Sequence, residues 1–202
     1  MKSEFIIGMF TTGVFMFSFV QAAPSNWRSV DVTPLDVASV ELGMSYDQAL
    51  AAITKHFQLS SNEIKRVETS TLYSYSRITK SQQPSSMRYK KDGTMLAVSF
   101  SVRIPTSQSN PVAVSRIHYG IPNTKENAAM LKESALAKYG QPSDNRRQAT
   151  LMWCAHYNQI AQCDPGQPKL SLILGSLVLN DPTIEEAGRK YEQNLLTTKP
   201  NI

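Results

Sequence analysis

Apolar positions along the chain recur at two spacings, one helical and one extended. Ala49, Leu50, Ile53 and Phe57 follow Leu42-Gly43-Met44-Ser45 at helical intervals. Ser45 can cap and Gln48, three residues on, can complete a capping box, so the pattern predicts a helix over 45–57. A second helix is expected over 124–139, with Thr124 as its cap and Ala128, Leu131, Ala135, Leu136 and Tyr139 as its stripe. Gly140 and Pro142 would end it. Asp181-Pro182-Thr183 opens a third, running to about 196 with Ile184, Ala187, Tyr191 and Leu195 on one side. Between the helices the period drops to two. Residues 87–102 read as a hairpin about Asp92-Gly93, with Leu96, Val98, Phe100 and Val102 alternating against small or polar neighbours. Further strands are expected over 112–119, 149–157 and 170–179. The Thr-, Tyr- and Ser-rich stretch 67–78 has strand character, and 23–33 reads as an extended lead-in.

Helix, strands, helix, strands, helix is the order of an α+β fold, an antiparallel sheet with helices packed on one face. Two helices that each precede a run of strands leave open a reading as two tandem helix-plus-sheet units, 35–121 and 122–202.

The first residues stand apart. Met1-Lys2-Ser3-Glu4 precedes an uncharged apolar run over 5–20, which ends in Val20-Gln21-Ala22. This is the layout of a cleaved secretory leader, 1–22, shorter than a bilayer span, and leaves 23–202 as one domain. A periplasmic or secreted protein without a stable membrane anchor is expected. Export also sets the reading of the cysteines. Cys154 and Cys163 are the only two, and in an oxidising compartment an even count points to a disulfide. The rival readings are a redox pair, which the absence of C-x-x-C disfavours, and a metal site of Cys154, His156 and Cys163, whose spacing is generic. No metal and no cofactor are expected.

The chain has 202 residues, 41% of them hydrophobic, and a formal charge of +5. That charge is unevenly spread. Between residues 62 and 119 nine Lys or Arg face three acids, an excess of six. The basic residues interleave with Tyr73, Tyr75, Tyr89 and Phe100, so a sheet face carrying Arg77, Arg88, Tyr89, Lys90 and Arg103 is expected as a binding surface. Such a face suits a protein partner with an acidic surface. Export argues against nucleic acid. The competing reading is a solvated edge whose lysines discourage strand pairing.

Motifs for catalysis are missing: no G-x-S-x-G, H-E-x-x-H, Walker or dinucleotide-binding pattern occurs, and His56, His118 and His156 are not accompanied by paired carboxylates. Three short patches carry a resemblance. Leu42-Gly43-Met44-Ser45 opening an amphipathic helix resembles the start of the small outer-membrane-assembly lipoproteins and of the secreted β-lactamase inhibitor proteins. Leu136-Ala137-Lys138-Tyr139-Gly140-Gln141-Pro142-Ser143, with Trp153 on a following strand, and Leu177-Val178-Leu179-Asn180-Asp181 are similar to later parts of such units. The resemblance implies a helix-plus-antiparallel-sheet scaffold that binds other proteins on its sheet face without catalysis. A lipidation cysteine is missing, which departs from the lipoprotein branch. The expected function is therefore a non-enzymatic binding module, inhibitor-like or an envelope accessory. The alternative is a small periplasmic hydrolase using His118 or His156.

Overall fold

A computed structural model of the chain describes residues 28–68, 74–147, 150–156 and 162–197. The expected leader and Tyr73 lie outside these residues. The capping box forms as the sequence predicts: α1 spans Tyr46–Phe57, the Ser45 hydroxyl accepts from the Gln48 amide, and the Gln48 side chain accepts from the Ser45 amide. Helix α3 spans Lys125–Tyr139 from a Thr124 cap to Gly140, and α4 spans Pro182–Thr197. A short α2, Ser74–Thr79, corrects the strand expected over 67–78. Among the described residues of that stretch only Val67 and Glu68, the end of β3 (Lys65–Glu68), are extended, and 69–73 lie outside them.

The hairpin about Asp92-Gly93 is β4, Pro84–Lys91, with β5, Thr94–Val102. Both turn residues take positive φ, 49° and 78°, as a tight hairpin turn requires. A side chain at Gly93 would also meet Pro122 at 2.6 Å. Strand β6 spans Val112–Gly120, β7 Asp144–Arg147 and β8 Thr150–Cys154. The single strand expected over 170–179 is instead a hairpin, β9 Lys169–Ile173 and β10 Ser176–Asn180, folded at Leu174-Gly175. A two-stranded ladder, β1 Asp36–Val37 with β2 Val40–Glu41, was not foreseen.

All the remaining strands form one antiparallel sheet in the order β3-β4-β5-β6-β10-β9-β8-β7. Each of α1 and α3 is thus followed by strands that lie consecutively in the sheet, and the two four-stranded runs meet through their last strands, β6 and β10. The α+β class is as expected, with one change in the layers. Helices α1 and α3 cover one face, whereas α2 and α4 lie across one end of the other, where Gly188 of α4 comes up against Val102.

Register explains the core. Across the strands, Met87, Val98, Ile117, Leu179, Leu170 and Trp153 form one row, and Tyr89, Leu96, Tyr119, Leu177, Leu172 and Leu151 the next. Both rows point toward α1 and α3, and meet Ala49, Ile53, Leu131 and Ala135. Each large side chain buried there contributes about 1.5–3 kcal/mol by its transfer from water. The lead-in is also built in: Val30 donates its amide to the Cys154 carbonyl at 2.9 Å, and Val32 is buried.

Cys154 and Cys163 form a disulfide with both residues buried. The Ser143 hydroxyl donates to the Cys154 carbonyl at 2.9 Å and accepts from its amide at 3.0 Å, so β8 is pinned from both sides. Replacing both cysteines with serine should lower stability by about 2.5–3 kcal/mol, the loop-closure value for a ring of this size. Urea unfolding of the oxidised protein beside the double variant measures it.

Candidate functional site

Successive residues of a strand point to opposite faces, so each core row has a partner row on the side that α1 and α3 leave open. Lys65, Arg88, Ala97, His118, Val178, Ser171 and Met152 are in register across seven strands. On one side of that row run Lys90, Met95, Gly120, Ser176, Ile173 and Thr150. On the other side run Ser86, Ser99, Arg116, Asn180, Lys169 and Cys154. Five cations stand in these rows. Lys65, Arg88, Lys90 and Arg116 are exposed and Lys169 is half-buried. None of the residues named is acidic; at the two edges the register goes on to Asp144 and Arg147 of β7 and, past Ser86, to Glu68 of β3 opposite Pro84.

A β-bulge decides which residues of β6 belong here. The pairing of β5 with β6 shifts between Ser99 and Phe100, so that Phe100 pairs with Val114 but Ser99 with Arg116, and Ser115 is the extra residue. Uninterrupted alternation would put Arg116 and His118 on the side of Val112 and Val114. The extra residue reverses the parity, turning Ile117 and Tyr119 into the core and Arg116 and His118 onto the open face. The Ser115 hydroxyl, buried at the bulge, accepts from Ser101 at 2.9 Å, and its carbonyl accepts the Asp181 amide that leads into α4.

Of the residues expected to bind, Arg88 and Lys90 stand on this face. Tyr89 does not: it is buried on the other side, its ring 4.8 Å from that of Phe57 of α1. Adjacent residues of one strand cannot share a face, so the expected mixture of Arg88 and Tyr89 is corrected. Arg77 lies on α2 and pairs with Glu192 of α4 at 3.5 Å. Arg103 follows β5 and donates to the Gly43 carbonyl at 2.6 Å, tying that loop to the start of α1. The structure adds Lys65, Arg116 and Lys169, which only the strand register could bring beside Arg88.

Local electrostatics follow from this layout. Burial and the nearby Arg116 guanidinium both lower the His118 pKa, so the imidazole is neutral near pH 7. Burial lowers the Lys169 pKa, with the Asp164 carboxylate acting the other way. His118 and Ser176 approach each other over Gly120, but no hydrogen bond joins them and no carboxylate among the described residues in these rows could orient the ring. His156 is exposed beyond the disulfide-bonded Cys154. A cleft of about 660 Å³ lies elsewhere, between Gly166 and the first turns of α4, where Glu186 is engaged by Arg189 and Lys190. No cluster of His, Cys, Asp or Glu among the described residues could hold a metal ion, and no helix among them is long and apolar enough to cross a membrane.

No family model matches the chain, and no curated protein or solved structure proves similar to it.

Proposed function

We propose that this is an exported, non-enzymatic binding module whose open sheet face docks the acidic surface of a protein partner, as an inhibitor or an envelope accessory. The observation that carries the reading is the distribution of charge: five cations share three adjacent rows, and none of the described residues between them is acidic. Paired lysines and arginines guarding an edge would sit on β3 or β7 alone, whereas Arg116 and Lys169 are on interior strands. A second copy of the chain is a poor occupant, because two such faces repel. The disulfide accords with an oxidising compartment.

Opposite charge accelerates association and is screened by salt. A pull-down from envelope extract should therefore retain a partner on the oxidised wild-type protein at low salt and release it at high salt. The K65E/R88E/K90E variant should retain at least tenfold less. Equal capture by both baits would overturn the assignment of this face.

A further inference from the structure

The open face is not uniformly basic. Lys65, Arg88 and Lys90 line its β3–β4 side, and Arg116 and Lys169 line the end next to α4. The interior of that L-shaped border is mostly short, apolar or hydroxyl-bearing: Met95, Ala97, Val178, Ile173 and Met152, with Ser171 and Ser176 between them and the half-buried His118 at the centre. Ile173 is 42% exposed, and the adjoining turn residue Leu174 65%. Every Phe, Tyr and Trp side chain described on these strands points the other way, into the core under α1 and α3.

Each feature excludes an occupant. Single-stranded nucleic acid is held by cations interleaved with aromatic stacking platforms, and these rows carry no Phe, Tyr or Trp. A membrane surface is met by protruding lysines together with a run of Trp, Phe or Leu at the boundary; these rows carry no Trp or Phe, and Ile173 with the adjoining Leu174 are the large apolar side chains exposed here among the described residues. An apolar interior with a charged border is the composition of a protein interface.

Size narrows the partner further. Seven strands spaced ~4.8 Å apart span roughly 29 Å, and three same-face rows span roughly 14 Å. The patch is therefore about 400 Å², half of the ~800 Å² that one side of a standard interface covers. A whole domain face would overhang it.

Resting on the proposed binding role of this face, we infer that its ligand is a single protruding extended segment whose sheet-facing side chains, every second residue, are apolar in the middle and carboxylates at the ends. The apolar side chains lie over Met95, Val178 and Ile173, and the carboxylates reach Arg88, Lys90 and Arg116. An extended strand supplies both kinds on one side, since its same-side residues recur every ~6.8 Å.

The test uses two ten-residue peptides of equal net charge, one with Leu at the sheet-facing positions between flanking sheet-facing Glu residues and one with those Leu replaced by Ser, together with phosphatidylglycerol vesicles. Binding is read by fluorescence anisotropy for the peptides and by co-sedimentation for the vesicles. The Glu/Leu peptide should bind at least tenfold more tightly than the Glu/Ser peptide. Ile173→Asp should abolish that preference, and Arg88→Glu should weaken both peptides. Equal binding of the two peptides would overturn the inference while leaving the basic face as the binding surface. If neither peptide binds while partner capture still depends on Lys65, Arg88 and Lys90, the segment is wrong and the face is right. Binding to vesicles alone would overturn both.

Discussion

Trp153→Ala should cost about 3–5 kcal/mol, the range for truncating a fully buried large aromatic. Trp153 is completely buried on β8, in the row shared by Leu170, Leu179 and Ile117. Its indole also does what no aliphatic residue could. Nε1 donates to the Gly140 carbonyl at 3.0 Å, satisfying an acceptor where α3 ends, and its ring meets Tyr139 edge-on at 5.9 Å. Tyr139 in turn donates to the Asp36 carbonyl at 2.7 Å, and burial raises its pKa. One indole thus ties β8, the C-terminus of α3 and the β1–β2 ladder together. For a domain of this size, thermal unfolding should move down by roughly 6–20 °C. Trp153→Phe should recover part of the packing and leave the carbonyl unpaired, falling between the two. A loss under ~1 kcal/mol for the alanine variant would show that β8 is not held in this way.

The second large effect concerns Tyr89. Because its ring packs under α1 against Phe57 and beside Leu96, in the row that continues to Tyr119, Tyr89→Ala should destabilise the fold by about 3 kcal/mol and leave partner capture by the folded protein unchanged. Its neighbour Arg88, one residue away and exposed, should behave in the opposite way: Arg88→Glu leaves the melting temperature within a degree or two and reduces capture. Two measurements on each variant, thermal unfolding and pull-down, give four numbers that must cross. If Tyr89→Ala impaired binding while leaving stability intact, the faces of β4 would be exchanged.

That contrast marks how far the sequence could be read. Helices α1, α3 and α4 were legible because capping residues and a 3.6-residue stripe agree over three turns or more, and the β4–β5 hairpin because Asp-Gly is a strong turn signal. Helix α2 was not: six residues are too few for a helical period, and its Thr, Tyr and Ser content favours strands. The β9–β10 turn hid for a related reason. Leu174 adopts a φ of 42°, a conformation that costs a leucine energy and that its side chain does not advertise; only Gly175 hinted at it. The pairing of Arg88 with Tyr89 on one face could have been refused from strand geometry alone. The placement of Arg116 and His118 could not, because it depends on a bulge at Ser115 that alternation does not reveal. The basic excess of the central segment was visible as a sum. Its meeting with Lys169 is a property of the sheet order, which brings β9 within two strands of β6.

The central claim is that the partner sits on the open sheet face and not on the helices. Lysine footprinting tests it most directly. The captured complex and the free protein are both reductively methylated, and each lysine is quantified by mass spectrometry. Lys65 and Lys90, exposed on the open side, should be protected by at least fivefold in the complex, while Lys55 of α1 and Lys132 of α3, exposed on the helix side, should react as they do in the free protein. Protection of Lys55 and Lys132 with Lys65 and Lys90 unchanged would contradict the account.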